Sequence, residues 1–114
     1  MKERRRHTRV DSLNLLAYTS FDSDGDPESQ GMGRTLNVSE SGILLETNEE
    51  LGAGHKVVIT IAIEENLVEI RGFVIRSLIN PEGMYESGIR FADVSDKELD
   101  VLKSYIVAFE EDLA

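Results

Sequence analysis

Positions Leu13, Leu15, Ala17 and Thr19 alternate with Asn14, Leu16, Tyr18 and Ser20, a two-residue period that ends near Phe21. That period predicts a strand with at least one buried face. Asp22–Gly33 is rich in Gly, Asp and Ser and contains Pro27, so it reads as a loop. Arg34–Val38 and Gly42–Thr47 read as two strands joined by the short Ser39–Ser41 turn, and Glu49–Gly54 as a further turn in which Gly52 and Gly54 are available for positive φ. The β-branched run Lys56–Glu64 and the run Leu67–Ile79 are close enough to form a hairpin. In the second run Val68, Ile70, Gly72, Val74 and Arg76 are expected on one face, and Glu69, Arg71, Phe73 and Ile75 on the other. Asn80-Pro81-Glu82-Gly83 has turn chemistry, and Met84–Phe91 reads as the last strand.

The period then changes. Ser95-Asp96-Lys97-Glu98 matches a capping box, in which the serine hydroxyl and the glutamate carboxylate satisfy each other's free backbone N–H groups. Leu99, Leu102, Ile106 and Phe109 follow at helical spacing, flanked by Val101 and Tyr105. The pattern therefore predicts a mostly β chain of about six strands and one C-terminal helix over 95–111. Six short strands with tight turns commonly protect their edges by closing into a barrel. The helix would bury its apolar stripe on the barrel mouth or side.

A chain of 114 residues with 40% hydrophobic side chains suits one domain with one core. It has no Cys, which excludes disulfides, thiolate zinc sites and cysteine nucleophiles, and fits a reducing cytoplasm. The start MKERRRH lacks the apolar stretch and cleavage site of a signal peptide, and no run approaches the ~20 apolar residues of a membrane helix. The formal net charge of −10 argues against a general binder of polyanions. The charges are uneven, however. Residues 1–10 hold five basic groups against Glu3, a local +4, whereas the remaining 104 hold 7 basic and 21 acidic groups, −14. A basic arm, 1–10, thus precedes an acidic body, 11–114. With a screening length of about 8 Å, an anion held by the arm feels the distant acidic face only in part.

Two segments could carry chemistry. The arm, Arg4-Arg5-Arg6-His7-Thr8-Arg9, presents guanidinium forks that match phosphate oxygens or the guanine O6/N7 edge, and their planes can stack on a base. Taken alone it reads equally as a solvated basic tail. Asn37-Val38-Ser39-Glu40-Ser41-Gly42 offers an amide and a hydroxyl toward a ligand, with Gly42 permitting the chain to reverse. Taken alone it is an ordinary hairpin turn. Asp22-Ser23-Asp24-Gly25-Asp26 opens like a calcium loop, but Pro27 and Gly33 stand where that loop needs Gly and Glu. His7 and His55 have no partner at metal-ligand spacing, and no catalytic constellation is evident, so neither a metal nor an enzyme is expected.

The order of these segments, RRxxxR before the first strand and (D/N)xSxxG after a later one, resembles the PilZ domain. Gly88-Ile89-Arg90-Phe91 matches that family's Gly-x-x-Phe, and the strand Gly72-Phe73-Val74-Ile75-Arg76 looks like its penultimate strand. The resemblance implies a six-stranded antiparallel β-barrel that binds the bacterial second messenger cyclic di-GMP. It further implies that Arg5 and Arg9 hold phosphate and the guanine Hoogsteen edge. Arg4 would stack on a base or help seat a second nucleotide. Asn37 and Ser39 would contact guanine, and Gly42 would set the turn. Asn37 is the less usual alternative to Asp.

The resulting expectation is a non-enzymatic cytoplasmic receptor or adaptor that changes conformation to signal to an unidentified partner protein, without a cofactor, nucleic acid or membrane insertion. Two rivals stand beside it: a barrel of the same fold that binds no nucleotide and works through protein contacts, and a small barrel for single-stranded nucleic acid. Intact arginines with Asn37 and Ser39 oppose the first. Seven aromatics and few basic residues on the strands oppose the second.

Overall fold

The structure, a computed structural model, describes residues 15–113. Six strands form a closed antiparallel barrel, β1 (Leu15–Phe21), β2 (Pro27–Val38), β3 (Gly42–Thr47), β4 (Lys56–Ile63), β5 (Asn66–Ile79) and β6 (Tyr85–Ala92), followed by helix α1 (Asp96–Leu113). Around the barrel the order is β1-β2-β3-β6-β5-β4, with β4 returning to β1 through pairs such as Tyr18–Ile59. Closure leaves no unpaired edge. The alternation read from the sequence fills the inside: Leu16 and Tyr18, Ile43 and Leu45, Ile59 and Ile61, Ile70 and Val74, and Ile89 and Phe91 are all buried.

One segment differs from expectation. Only residues 22–26 form a turn, where the Asp22 carboxylate accepts from the Asp24 and Asp26 N–H groups; from Pro27 onward the predicted loop is strand. Its Gly and Ser residues are poor strand formers alone, but pairing with β1 from Leu15–Arg34 to Phe21–Pro27 imposes the conformation. Gly33 is needed there, because a Cβ would lie 2.7 Å from the buried Leu45 side chain.

Ser95 and Glu98 form the expected capping box, with bonds of 3.0 and 3.1 Å. The helix stripe is rotated slightly from the predicted one. Val101, Leu102, Tyr105 and Phe109 are buried, whereas Leu99 and Ile106 are only partly covered. The helix packs against β4 and β5 at the barrel end that also holds the β2–β3 turn. At the other end the β3–β4 connection buries Leu51. Tyr105 reaches the inner face of β2, where its hydroxyl and that of Thr35 are 2.8 Å apart.

Burial pushes the Tyr105 phenol above its ordinary value of 10.0, an effect that the Thr35 hydrogen bond partly offsets. Burial, then the nearby Glu49 charge, also raises Tyr18. The fold thus favours the protonated phenols. That stabilisation is complete below the unfolded value near 10 and is lost as pH rises through the folded values. Thermal melts followed by circular dichroism between about pH 8 and 12 should show Tm falling above about pH 10, and Tyr105→Phe should make the fall shallower.

Candidate functional site

Each strand of the barrel must keep a continuous apolar inner face, and a one-residue slip would turn every later side chain over. Two strands accommodate an extra residue by bulging. In β2 the register jumps from Thr35–Leu45 to Asn37–Leu44, leaving Leu36 without a partner in β3. Thr35 and Val38 both remain buried as a result, and Asn37 is exposed on the outside. In β5 the register jumps from Val74–Ile89 to Arg76–Gly88, leaving Ile75 as the extra residue. Ile75 and Arg76 are therefore both exposed, not on opposite faces as the unbroken alternation predicts.

The two bulges lie in the same cross-strand row. Asn37 pairs with Leu44, Leu44 with Gly88, and Gly88 with Arg76. Between them runs an open groove of about 490 Å³, lined among others by Asn37, Ser39, Gly42, Leu44, Ile75, Gly88 and Arg90. Gly88 forms part of its floor, and a Cβ there would meet nothing within 4 Å. The floor is open for a planar ligand.

The Ser39–Ser41 turn forms one rim. The Ser39 N–H donates to the Gly42 carbonyl at 2.9 Å, and the Ser39 hydroxyl lies 3.1 Å from that of Ser41. The Asn37 side-chain oxygen accepts from the Val38 N–H at 3.0 Å, which leaves the amide NH2 as a donor for a ligand acceptor. Gly42 has a different role from the one its place in a turn implies. It is not among the positive-φ residues, and its constraint is close approach: a Cβ would collide with the Ile89 carbonyl oxygen across the β3–β6 ladder. Arg90, the cross-strand partner of Gly42, projects beside that bare backbone.

The structure thus brings Asn37, Ser39 and Gly42 together. Arg4, Arg5 and Arg9, with the whole arm 1–10, lie outside the described residues. Sequence reasoning missed Leu44, Ile75, Gly88 and Arg90 as members of the site. Gly88 and Arg90 were visible in Gly-x-x-Phe but carried no assigned contact, and Ile75 enters only through the bulge.

Two carboxylates in the row next to the groove, Glu46 and Glu86, are already engaged. In the adjoining outer row Glu46 faces Glu86 directly, and like charges there repel. Arg34 holds Glu46 at 3.0 Å, and the Asn80 amide donates to Glu46 at 2.9 Å and to Glu86 at 3.1 Å. By contrast, Arg76 and Arg90 make no ion pair among the described residues. A second recess of about 560 Å³ beside the helix start, lined by Glu69, Arg71, Lys97 and Glu98 among others, gathers none of the predicted residues. Among the described residues no group of three or more His, Asp or Glu side chains is placed to hold a metal ion, and no helix is long and apolar enough to cross a membrane.

Comparison with known proteins agrees with this fold. The family model described as "PilZ domain" matches residues 3–108, which spans most of the arm, the barrel and most of the helix. No curated protein sequence matches the chain. Among solved structures, the Bacillus subtilis inhibitor of motility MotI/DgrA superposes with a TM-score of 0.63 at 17% identity, over 94% of this chain and 52% of that one. The PilZ domain of Escherichia coli YcgR with c-di-GMP gives 0.59 at 20% identity, over 87% of this chain and 84% of that one. The K. pneumonia MrkH–c-di-GMP complex gives 0.62 at 12% identity, over 86% of this chain and 48% of that one. The chain spans about half the length of MotI and MrkH.

The two glycines separate packing from site. Gly42→Ala should lower stability by about 1–3 kcal/mol, because backbone must move to admit the methyl group. Gly88→Ala, which meets no atom, should stay within about 0.5 kcal/mol. Urea denaturation of the two variants measures the contrast.

Proposed function

This chain belongs to the PilZ domain family, and we propose that it binds cyclic di-GMP through the RRxxxR arm and the Asn37-x-Ser39-x-x-Gly42 turn. It acts as a non-enzymatic bacterial receptor or adaptor in the cytoplasm, and ligand occupancy changes its conformation for a partner protein. The observation that carries the reading is the outward presentation of Asn37 and Ser39 on one groove with Arg90, beside a row in which Glu46 and Glu86 are tied up. Solved relatives of the same fold, the YcgR PilZ domain and MrkH, were captured with c-di-GMP.

The roles follow from chemistry. The ligand carries two phosphate charges and two guanines. The Asn37 amide and Ser39 hydroxyl supply short hydrogen-bonding groups for a guanine edge. Arg5 and Arg9 supply forks for phosphate and the Hoogsteen edge, each bidentate contact being worth ~1–3 kcal/mol. Arg4 stacks on a base, adding roughly 0.5–2 kcal/mol. Six residue steps separate Arg9 from Leu15 at the start of β1, a reach of up to roughly 20 Å. Leu15 is itself opposite Arg34, three positions before Asn37. The arm is thereby within reach of the groove. Closing a charged segment over a bound dianion rebuilds the adjacent surface, and that surface is what a partner would read.

Isothermal titration of the full chain with cyclic di-GMP is the test. Saturable binding is expected, and Arg5→Ala and Arg9→Ala should each weaken it by roughly 5- to 150-fold. Absence of binding by the unaltered chain would refute the receptor function. Unchanged affinity in both variants would refute the roles of the arm alone.

A further inference from the structure

The Asn37–Ser39 rim occupies one side of the groove. The opposite side, three strand spacings and at most roughly 14 Å away, has an arrangement that the turn and the arm do not explain. The β5 bulge turns two consecutive side chains, Ile75 and Arg76, outward at the level of Gly88. Ile75 is 53% exposed and lines the groove, where it supplies an apolar surface. Arg90 stands one outward position further along β6, and its cross-strand neighbour Phe73 is 45% exposed.

Of the seven basic residues in the acidic body, Arg90 lines this groove and Arg76 is exposed beside Ile75 at the level of Gly88, and neither has an ion pair among the described residues. The nearest cross-strand carboxylates, Glu46 and Glu86, are committed to Arg34 and Asn80. An apolar surface edged by two planar cations matches the chemistry of a purine nucleotide: an apolar ring face, with acceptor atoms and a phosphate at its margin.

We propose that Ile75, Arg76 and Arg90 form a second recognition wall, contacting the half of the dinucleotide that Asn37 and Ser39 do not reach. Ile75 covers the face of the second base, and the Arg76 and Arg90 forks take its edge and the adjoining phosphate. The bulge is what makes the wall, since regular pairing of Ile75 would leave Arg76 on the same face as Val74. The inference rests on the reading of the groove as a cyclic di-GMP site. It adds a width requirement to that reading, because one nucleotide cannot engage both walls.

The test is titration of the full chain with cyclic di-GMP, comparing Arg76→Ala, Arg76→Lys and Arg90→Ala with the unaltered protein. These side chains are exposed and without ion pairs among the described residues, so the variants should keep the parent Tm. Each Ala variant is expected to bind roughly 5- to 100-fold more weakly, and Arg76→Lys should not restore affinity, because an ammonium keeps the charge but loses the fork. Parent affinity in both Ala variants would overturn the second wall and leave the receptor function standing. Full rescue by Arg76→Lys would overturn the fork contact, leaving only a general field. Failure of the unaltered chain to bind would overturn the receptor function itself, and this wall with it.

Discussion

A closed barrel obliges every strand to send alternate side chains to one interior, and the site exists because two strands break that alternation at the same level. At Leu36 in β2 and Ile75 in β5 an extra residue is absorbed by bulging. The core stays intact on both sides of each bulge, with Thr35 and Val38 buried around one and Val74 around the other. The outer surface gains paired consecutive side chains facing each other across Leu44 and Gly88. Unbroken alternation through either segment, with no bulge, would instead turn Asn37 or Arg76 inward. Burying an unpaired guanidinium costs several kcal/mol, so the barrel would sooner rearrange than accept it.

The inner side of the same wall is held as firmly as the outer side is open. Thr35, at the edge of the β2 bulge, meets the Tyr105 hydroxyl from helix α1, whose ring stacks near Phe109 at a centroid distance of 6.4 Å. Asn37 is thus presented from a segment fixed from inside by the helix and from the side by the β3 ladder. Binding groups need such support, because a rim free to move would lose its ligand contacts to entropy. Gly42 serves the same end by letting β3 approach β6 closely enough for the ladder to run up to the turn.

The strands and helix were legible because their signals are local: a two-residue period, turn residues between runs, and a capping box at Ser95–Glu98. What was not legible depends on partners far away in sequence. Pro27–Gly33 looks like loop in composition and becomes strand only through β1. No pattern within Val74-Ile75-Arg76 shows a bulge, since a bulge is a mismatch with β6. That is why Arg76 was grouped on one face with Val68, Ile70 and Val74. Gly42 was visible as a requirement, yet its reason lay in the Ile89 carbonyl across the ladder. Asn37, Ser39 and Gly42 could be named from spacing and the family resemblance, whereas Ile75 and Arg90 join the site only when the barrel closes.

The central claim is that the groove between the two bulges is where the ligand sits. The most direct measurement is a two-dimensional 15N-correlation NMR titration of the full chain with cyclic di-GMP. The account predicts the largest amide shifts at residues 37–42, 75–76 and 88–90, with little change in the recess beside the start of α1. Shifts concentrated instead around Arg71, Lys97 and Glu98, or no shifts at all, would contradict it.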